Sequence, residues 1–447
     1  MKIVIIGGGG VGQHLASSLA PDAEVVVVDR DPANLAAVEE GVDALTLQGD
    51  ATHRATLRQA EVHKADLVVA VTGCDTVNVT AAALATDMGA LRSVARVDDP
   101  GFYDTKAAYE TRVLGIHALL CASRLVAGEL LRMLTGRDCR HTFSMAGGAL
   151  HGAVVEVPAD SPAIGQAPQR LRTDGSETVR AVIRGTRVRA APDIAALDEG
   201  DSLLLLGPPI NVARVAHFVR GRDSNRLVLI GGGDIGGQLA TSLQQIEHDI
   251  RVVEIDRAQC EAISAELPKV RIIHGDGTNL AFLRDERIGE CASMCAVTRS
   301  DEVNLMASLL GRELGVHRTF ALVHRPGYAS VYNHLGIHGT ASAHEVMART
   351  LRWLLPGRRI LGHSAVPGTD HEVIELRVPN MGKRHVTARD LPLPPGTLVL
   401  GVVRDTGELL RTDADVEGGE QVMIVTRTGN QRDIERALGR LANGGAG

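Results

Sequence analysis

Aromatic side chains are nearly missing from this sequence, with one Trp, four Tyr and five Phe in 447 residues. Platforms that stack nucleic-acid bases need such rings. The formal net charge of −7 also disfavours a binder of phosphate backbones, so no nucleic-acid partner is expected. No apolar run reaches the ~18 residues that a membrane span requires. The chain opens directly on a strand-like run, so no secretory leader is expected either. Six cysteines (74, 121, 139, 260, 291 and 295) form no C-x-x-C pair, which gives a zinc or disulfide framework no support; they read as free thiols packed as small hydrophobes. No G-x-x-x-x-G-K-[ST] loop occurs, which argues against ATP hydrolysis of the P-loop type.

Glycine, by contrast, is abundant at 49 residues, and 44% of the chain is hydrophobic, enough for ordinary cores. Ile3-Val4-Ile5-Ile6 reads as a strand buried on both faces. Gly7-Gly8-Gly9-Gly10-Val11-Gly12 follows at once, then a helix start rich in small residues, then a second strand, Val25 to Val28, ending on Asp29. Gly7, Gly9 and Gly12 fit the dinucleotide fingerprint G-x-G-x-x-G. The first glycine permits a tight turn, the second admits a pyrophosphate to the backbone, and the third lets helix and strand pack closely. The helix N-terminus supplies open N–H groups and partial positive charge. Asp29, 22 residues past Gly7, is placed to accept from both hydroxyls of a ribose.

The stretch occurs twice. Leu227 to Ile230 precede Gly231-Gly232-Gly233-Asp234-Ile235-Gly236, and the second acid is read as Asp256, closing the run from Val252. A shift of 226 residues then superposes Gly49-Asp50-Ala51-Thr52 on Gly275-Asp276-Gly277-Thr278, Ala70-Val71-Thr72 on Ala296-Val297-Thr298, Asp75 and Asn78 on Asp301 and Asn304, and Pro100-Gly101 on Pro326-Gly327. A constant shift with shared special residues is an internal duplication.

The fold class follows as α/β. Strands at 3–6, 25–28, 44–47, 67–71 and 93–97 alternate with helices at about 11–20, 32–40, 53–60 and 76–89, the pattern of a doubly wound parallel sheet with its ligand beyond the strand C-termini. Asp50, Thr72 and Arg96 stand at such ends. A short strand near 115–119 leads to a helix from Ala122 to Thr135 with an apolar stripe, repeated by Val346, Leu351, Leu354 and Leu355. Spacing leaves open whether that helix covers its own sheet or is exported to the sister half or a partner subunit. Strands at 154–157, 179–183 and 202–206 and a helix at 211–219 make a small α+β module, repeated by 372–378, 398–403, 421–425 and a helix at 431–441. The expected domains are therefore two Rossmann-like ones, 1–136 and 225–357, each followed by a small α+β domain, 137–221 and 358–442. A polar hinge at 221–224 separates the halves, and the tail at 443–447 is expected to be disordered.

This order, with both glycine loops, two Gly-Asp-x-Thr segments, the Ala-Val-Thr turns, Arg96-Val97 and Leu393-Pro394-Pro395-Gly396-Thr397, resembles the Trk potassium-uptake regulatory (TrkA) family, whose members carry tandem RCK domains, also called KTN domains. The resemblance spans Met1 to about Leu441. It implies a cytosolic subunit, peripheral on the membrane, that assembles as a tetrameric ring under a membrane-embedded potassium transporter of the TrkH/TrkG type. It implies binding of NAD(H) and of ATP and ADP, with ring shape gating transport. By position, Gly7 to Val11, Asp29, Thr72, Gly73 and Arg96 would hold nucleotide in the first half, and Gly231 to Ile235, Asp256 and Thr298 in the second, with Asp50 and Asp276 near the adenine. One departure is Leu322 in the place of Arg96.

A hydride-transfer enzyme is the rival reading, and an RCK regulator of a potassium efflux system or channel is another. An oxidoreductase needs a substrate domain with an acid–base group, and modules of about 80 residues without such a constellation do not offer one. His14, on the first helix, His53 and His63 read as solvated or packed. His334, His338 and His344 are interrupted by Gly336 and Gly339 and make a poor metal set. Asp29 predicts NAD(H) over NADP(H), with Arg30 as the counter-signal. Asp234 in place of Gly10 and Leu322 in place of Arg96 predict a second site weaker for phosphates, on the expectation that Arg96 reaches the crevice.

Overall fold

The computed structural model describes the chain apart from residues 100–112, 137–138, 174–175, 222–225, 247–248, 326, 356–358, 380–385, 405–408, 411, 413 and 443–447. The Pro100-Gly101 and Pro326 turns, the hinge at 222–224 and the tail at 443–447 lie outside the described residues. The first half begins β1 (Lys2–Ile6), α1 (Gly10–Leu19), β2 (Glu24–Asp29), α2 (Pro32–Gly41), β3 (Leu45–Gln48), α3 (Arg54–Gln59), β4 (Leu67–Ala70), α4 (Asp75–Asp87), β5 (Ser93–Arg96), β6 (Ala118–Leu120) and α5 (Ala122–Thr135). These strands pair in parallel in the order β3-β2-β1-β4-β5-β6. Ile3 to Ile6 and Val25 to Val28 are all buried, because helices cover both faces of such a sheet and β-branched residues suit its pleat. Strand order reverses at β1, so the crevice where a doubly wound sheet takes its ligand opens at the end of β1, at the glycine loop.

The first small module holds β7 (His141–Met145), β8 (Leu150–Glu156), β9 (Arg172–Thr173), β10 (Ser176–Glu177), β11 (Val179–Arg184), β12 (Arg187–Ala190), β13 (Ser202–Gly207) and α6 (Pro209–Arg220). The second half repeats the plan with β14 (Leu227–Ile230), α7 (Asp234–Leu243), β15 (Ile250–Glu254), α8 (Arg257–Glu266), β16 (Arg271–His274), α9 (Leu280–Asp285), β17 (Ser293–Ala296), α10 (Asp301–Glu313), β18 (Arg318–Val323), α11 (Tyr328–His334), β19 (Gly339–Ser342) and α12 (Ala343–Leu354). Its sheet order, β16-β15-β14-β17-β18-β19, copies the first. The last module contains β20 (Ile360–Ala365), β21 (His371–Arg377), β22 (Val386–Thr387), β23 (Leu398–Val403), β24 (Asp415–Val416), β25 (Gln421–Arg427) and α13 (Gln431–Ala442). The principal sheets of the two modules, β12-β11-β13-β8-β7 and β20-β21-β25-β23, are antiparallel.

The chain divides into two compact units that do not follow its order. One comprises Met1–Leu125 with Ala343–Pro356, the other Val126–Ser342 with Gly357–Gly447. In the first unit α12, which comes from the second half, packs along α1. Arg92 Nη1 donates to the Leu354 carbonyl at 3.1 Å, and Arg352 Nε donates to Ser18 Oγ at 3.1 Å. In the second unit Arg318 Nη2 donates to the Met133 carbonyl at 3.3 Å, near the end of α5. Arg92 and Arg318 are the duplicated position, so one contact is made twice: a sheet arginine caps a helix contributed by the other half. A cation there also suits the negative end of the helix dipole. The open choice for the apolar helix resolves as export to the sister half.

Burial of Val346, Met347, Leu351, Trp353 and Leu354 on α12 contributes about 1.5–3 kcal/mol per large side chain. A fragment ending at residue 136 lacks that helix. It is expected to melt lower than the full chain and to gain about 5 °C or more from an added peptide spanning 343–355. Thermal melts by circular dichroism check this, and no gain on adding the peptide would count against the exchange.

Candidate nucleotide-binding sites

A cavity of about 460 Å³ opens beyond the strands of the first unit, lined among others by Gly7, Gly9, Asp29, Asp50, Thr72 and Gly73. Its counterpart in the second unit, about 480 Å³, is lined by Gly231, Gly233, Asp234, Glu254, Asp256, Asp276 and Thr298 among others. Both volumes suit a small-molecule site. The glycines divide their work as the fingerprint requires. Gly7 has φ +108° and Gly231 φ +105°, a region that L side chains rarely enter. A Cβ on Gly12 would overlap the Gly7 carbonyl oxygen, and one on Gly236 would overlap that of Gly231. At Gly9 and Gly233 a Cβ would meet nothing within 4 Å; that is the open space over the helix start where a phosphate would lie. Gly8, Gly10, Val11 and Gly12, like Gly232, Ile235 and Gly236, shape the loop without lining the cavity, except that Gly10's counterpart Asp234 does line its own.

Asp29 fixes the loop. Its Oδ2 accepts from Gly8 N–H at 2.6 Å and from Asn34 Nδ2 at 3.2 Å, while Oδ1 accepts from Asp31 N–H at 2.8 Å. The second half differs from the sequence reading here. Gly232 N–H donates to Glu254 Oε2 at 2.6 Å, and Asp256 N–H donates to Glu254 Oε1 at 2.9 Å. Glu254, not Asp256, therefore stands where Asp29 stands. Asp256 caps α8 by accepting from Ala258 N–H at 2.8 Å, as Asp31 caps α2 through Ala33 N–H at 2.9 Å. The strand register shows the same shift, since Val28 pairs with Ile6 and Val253 with Ile230, one residue before each acid.

At the next strand ends, Thr72 N–H and Oγ1 donate to Asn78 Oδ1 at 2.8 and 2.6 Å, and Asn78 Nδ2 donates to the carbonyls of Thr72 and Arg96, each at 3.0 Å. Thr298, Asn304 and the Leu322 carbonyl repeat this set. Asp50 and Asp276 each accept from the hydroxyl and the amide of a threonine two residues on, Thr52 and Thr278, which holds both carboxyls below their ordinary range.

Arg96 does not reach the cavity as expected. Its guanidinium pairs with Asp98, Nη2 to Oδ2 at 2.8 Å and Nε to Oδ1 at 3.2 Å, and it is not among the lining residues. The cation on the first rim is Arg30, and on the second it is Arg299, which takes the place of Gly73. The loss of Arg96 is thus no loss to the second cavity, and the remaining charge difference is Asp234. Sequence reasoning missed Glu254 and Arg299. The register of the second strand against Ile230 would have found Glu254; Arg299 lies within the matched Thr-x-x-Asp turn and carried no signal of its own. Cys74 also departs from the packed-thiol reading: it is exposed on the first rim, and hydrogen bonds from the Thr76 hydroxyl and the Val77 amide lower its thiol. Buried Cys291 is pushed up to about 11 by burial. His334 and His338 act locally, His334 Nδ1 with the Ser330 carbonyl at 2.6 Å and His338 Nδ1 with Thr319 N–H at 3.2 Å.

The TrkA-N domain family model matches residues 3–119 and again 227–343. Over 436 residues the chain is 29% identical to a Trk system potassium uptake protein TrkA homolog of Archaeoglobus fulgidus, covering 97% of this chain and 99% of the relative. It is 28% identical to the Trk system potassium uptake protein TrkA of Halomonas elongata, with 98% of each covered. Among solved structures, the GsuK RCK domain superposes with a TM-score of 0.57 at 18% identity, covering 98% of this chain and 95% of that one. A GsuK channel bound to NAD gives 0.57 at 17% identity, covering 98% and 79%. At these identities the likeness bears on the fold.

The reassigned acid is testable. In the full chain with Gly9→Val filling the first loop, Glu254→Ala is expected to weaken NADH binding about tenfold or more, the scale of a lost charged hydrogen bond. Asp256→Ala should cost about 1 kcal/mol of stability as a lost cap and change affinity less than about threefold. Calorimetry giving the reverse order would restore Asp256 as the ribose acid.

Proposed function

The chain belongs to the TrkA-N domain family, and on that premise we propose that it is a nucleotide-binding regulatory subunit of a Trk-type potassium uptake system. The observation that carries the reading is the pair of glycine-loop cavities, each closed by an acid that organises the loop amides. The residues present suit NAD(H): open space over each helix start for phosphate, Asp29 or Glu254 for ribose hydroxyls, and Asp50 or Asp276 at the far rim for the adenine end. ATP and ADP share the adenine, ribose and phosphate chemistry. In this proposal Gly7 to Val11, Asp29, Asp50, Thr72 and Gly73 hold or shape the first site. Gly231 to Ile235, Glu254, Asp276, Thr298 and Arg299 do so in the second.

Regulation rather than hydride transfer is favoured because the relatives that the chain matches over nearly its whole length are named as potassium uptake proteins. Nucleotides would then act through differential affinity for two shapes of an assembly. A homo-oligomeric ring, of four chains, docked on a transporter of the TrkH/TrkG type at the cytoplasmic face, completes the proposal; no helix among the described residues is long and apolar enough to cross a membrane. The four-domain division at 1–136, 137–221, 225–357 and 358–442 is kept as the order of evolutionary parts, although the compact units exchange helices across it.

Two measurements test this reading. Calorimetry on the full chain should show NADH binding more tightly than NADPH, since Asp29, already accepting from the loop amide, repels a 2′-phosphate; a preference for NADPH would point to Arg30 instead. Potassium uptake should fall in a strain deleted for this chain and return with the wild type but not with a Gly9→Val, Gly233→Val double variant. Full rescue by the double variant would remove nucleotide binding from the function.

A further inference from the structure

The helix that the first unit receives from the second half also delivers a side chain to the glycine loop. His344, the second residue of α12, lies beside the start of α1: a Cβ on Gly10 would stand 3.8 Å from His344 Nε2. Its ring faces that of His14 at a centroid separation of 5.8 Å and a tilt of 46°. Both histidines are half-buried. Gly10 is the first residue of α1, so its amide belongs to the open set that a helix presents to a phosphate. The loop from Gly7 to Gly12 contains no cationic side chain, and Arg96 is engaged with Asp98. The position of His344 is held by packing, since α12 is buried along Val346, Met347 and Leu351 and tied to the first unit near its far end by Arg352 and Arg92.

We infer that His344 is a phosphate-binding residue of the first nucleotide site, supplied by the second half of the chain, with Nε2 donating to a phosphate held at the start of α1. The inference rests on the reading of that cavity as a nucleotide site. An imidazole always has at least one N–H to offer, and a bond to phosphate is charge-assisted, about twice as strong as a neutral one. His14, one turn along α1 on the same face, sets the second wall of this corner. The nucleotide then bridges the halves, with its phosphates held by the loop of one and the helix of the other. This gives the ligand a physical handle on the exchange, because it binds better when α12 is docked.

The second site lacks the device. Met133 and Leu354 are matching positions, both accepting from the sheet arginine. Ten residues before each stand Ser123 and His344, and Gly10 is replaced by Asp234. A phosphate-binding imidazole is therefore particular to the first site.

The test uses the full chain with Gly233→Val, so that calorimetry with NADH and with ADP reads the first site. His344→Leu keeps the bulk and removes the donor; His344→Gln keeps a donor near the place of Nε2. The expected result is an affinity about tenfold weaker for the leucine variant with both ligands, and within about threefold of the parent for the glutamine variant. In the Gly9→Val background, which reads the second site, His344→Leu should change nothing. The inference is overturned if the leucine variant binds like its parent, if the glutamine variant is as weak as the leucine one, or if the second site weakens equally. A Gly233→Val parent that binds neither ligand would overturn the nucleotide-site reading itself, and this inference with it.

Discussion

One hydrogen bond, from the second amide of the glycine loop to an acid at the end of the neighbouring strand, underlies each site. Gly8 donates to Asp29 and Gly232 to Glu254, each at 2.6 Å. The bond fixes the distance between the ends of β1 and β2, or of β14 and β15. It also turns the loop so that the amides beyond it face the open space over Gly9 or Gly233. The third glycine is required by the same arrangement, because the loop carbonyl of Gly7 or Gly231 lies where a Cβ would be. A charge-assisted bond of this kind contributes about 1.5–3 kcal/mol. In the proposed function, the acid that organises the loop is also the one that would disfavour a 2′-phosphate.

The duplication shows which parts of the design tolerate change. The buried Asn78 and Asn304 make the same four bonds. Asp75 and Asp301 accept from the same pair of backbone amides, those of 98 and 99 or of 324 and 325. Each asparagine satisfies buried donors and acceptors that would cost about 1–3 kcal/mol if left unpaired, so neither partner of those bonds changes alone. The cavity rims diverge freely. Arg96 and Leu322 differ in side chain, yet both offer the carbonyl that the asparagine needs, and the side chain was never part of the frame.

Much of this was legible in the sequence because the strands of a doubly wound sheet are short, apolar and punctuated by glycine, and because a repeat doubles every signal. The alternation of strand and helix, both loops, the matched threonines and asparagines and the four-part order were all readable in that way. The second acid was not. Three acids, Glu254, Asp256 and the matching Asp29, satisfy a rule that counts residues from a glycine, and only backbone pairing decides between two that are two positions apart. Arg96 misled for a different reason: a strand end says where a backbone stops, while a long side chain goes to its nearest counter-charge, here two residues on. The strands β7, β12 and β20 were missed because each lies at a sheet edge, with mixed polar and apolar residues in place of a continuous apolar run.

The helix exchange stayed one of several open readings for a reason that spacing cannot repair. An amphipathic stripe states that a face must be covered and says nothing about by whom. Here α12 packs along α1 of the half that did not encode it, and an arginine at 92 or 318 receives the end of each helix. Had only one half existed, an exchanged helix would have had to come from a second copy, at whatever concentration that copy was present. Fusing the halves makes the exchange intramolecular, where effective concentrations reach the millimolar range for a suitable linker. The two halves then become free to specialise, since each receives a helix that is not its own: the first loop meets a helix that begins Ala343-His344, while the helix it exports begins Ala122-Ser123. An asymmetric pair of sites follows from a symmetric fold without any change in the sheets.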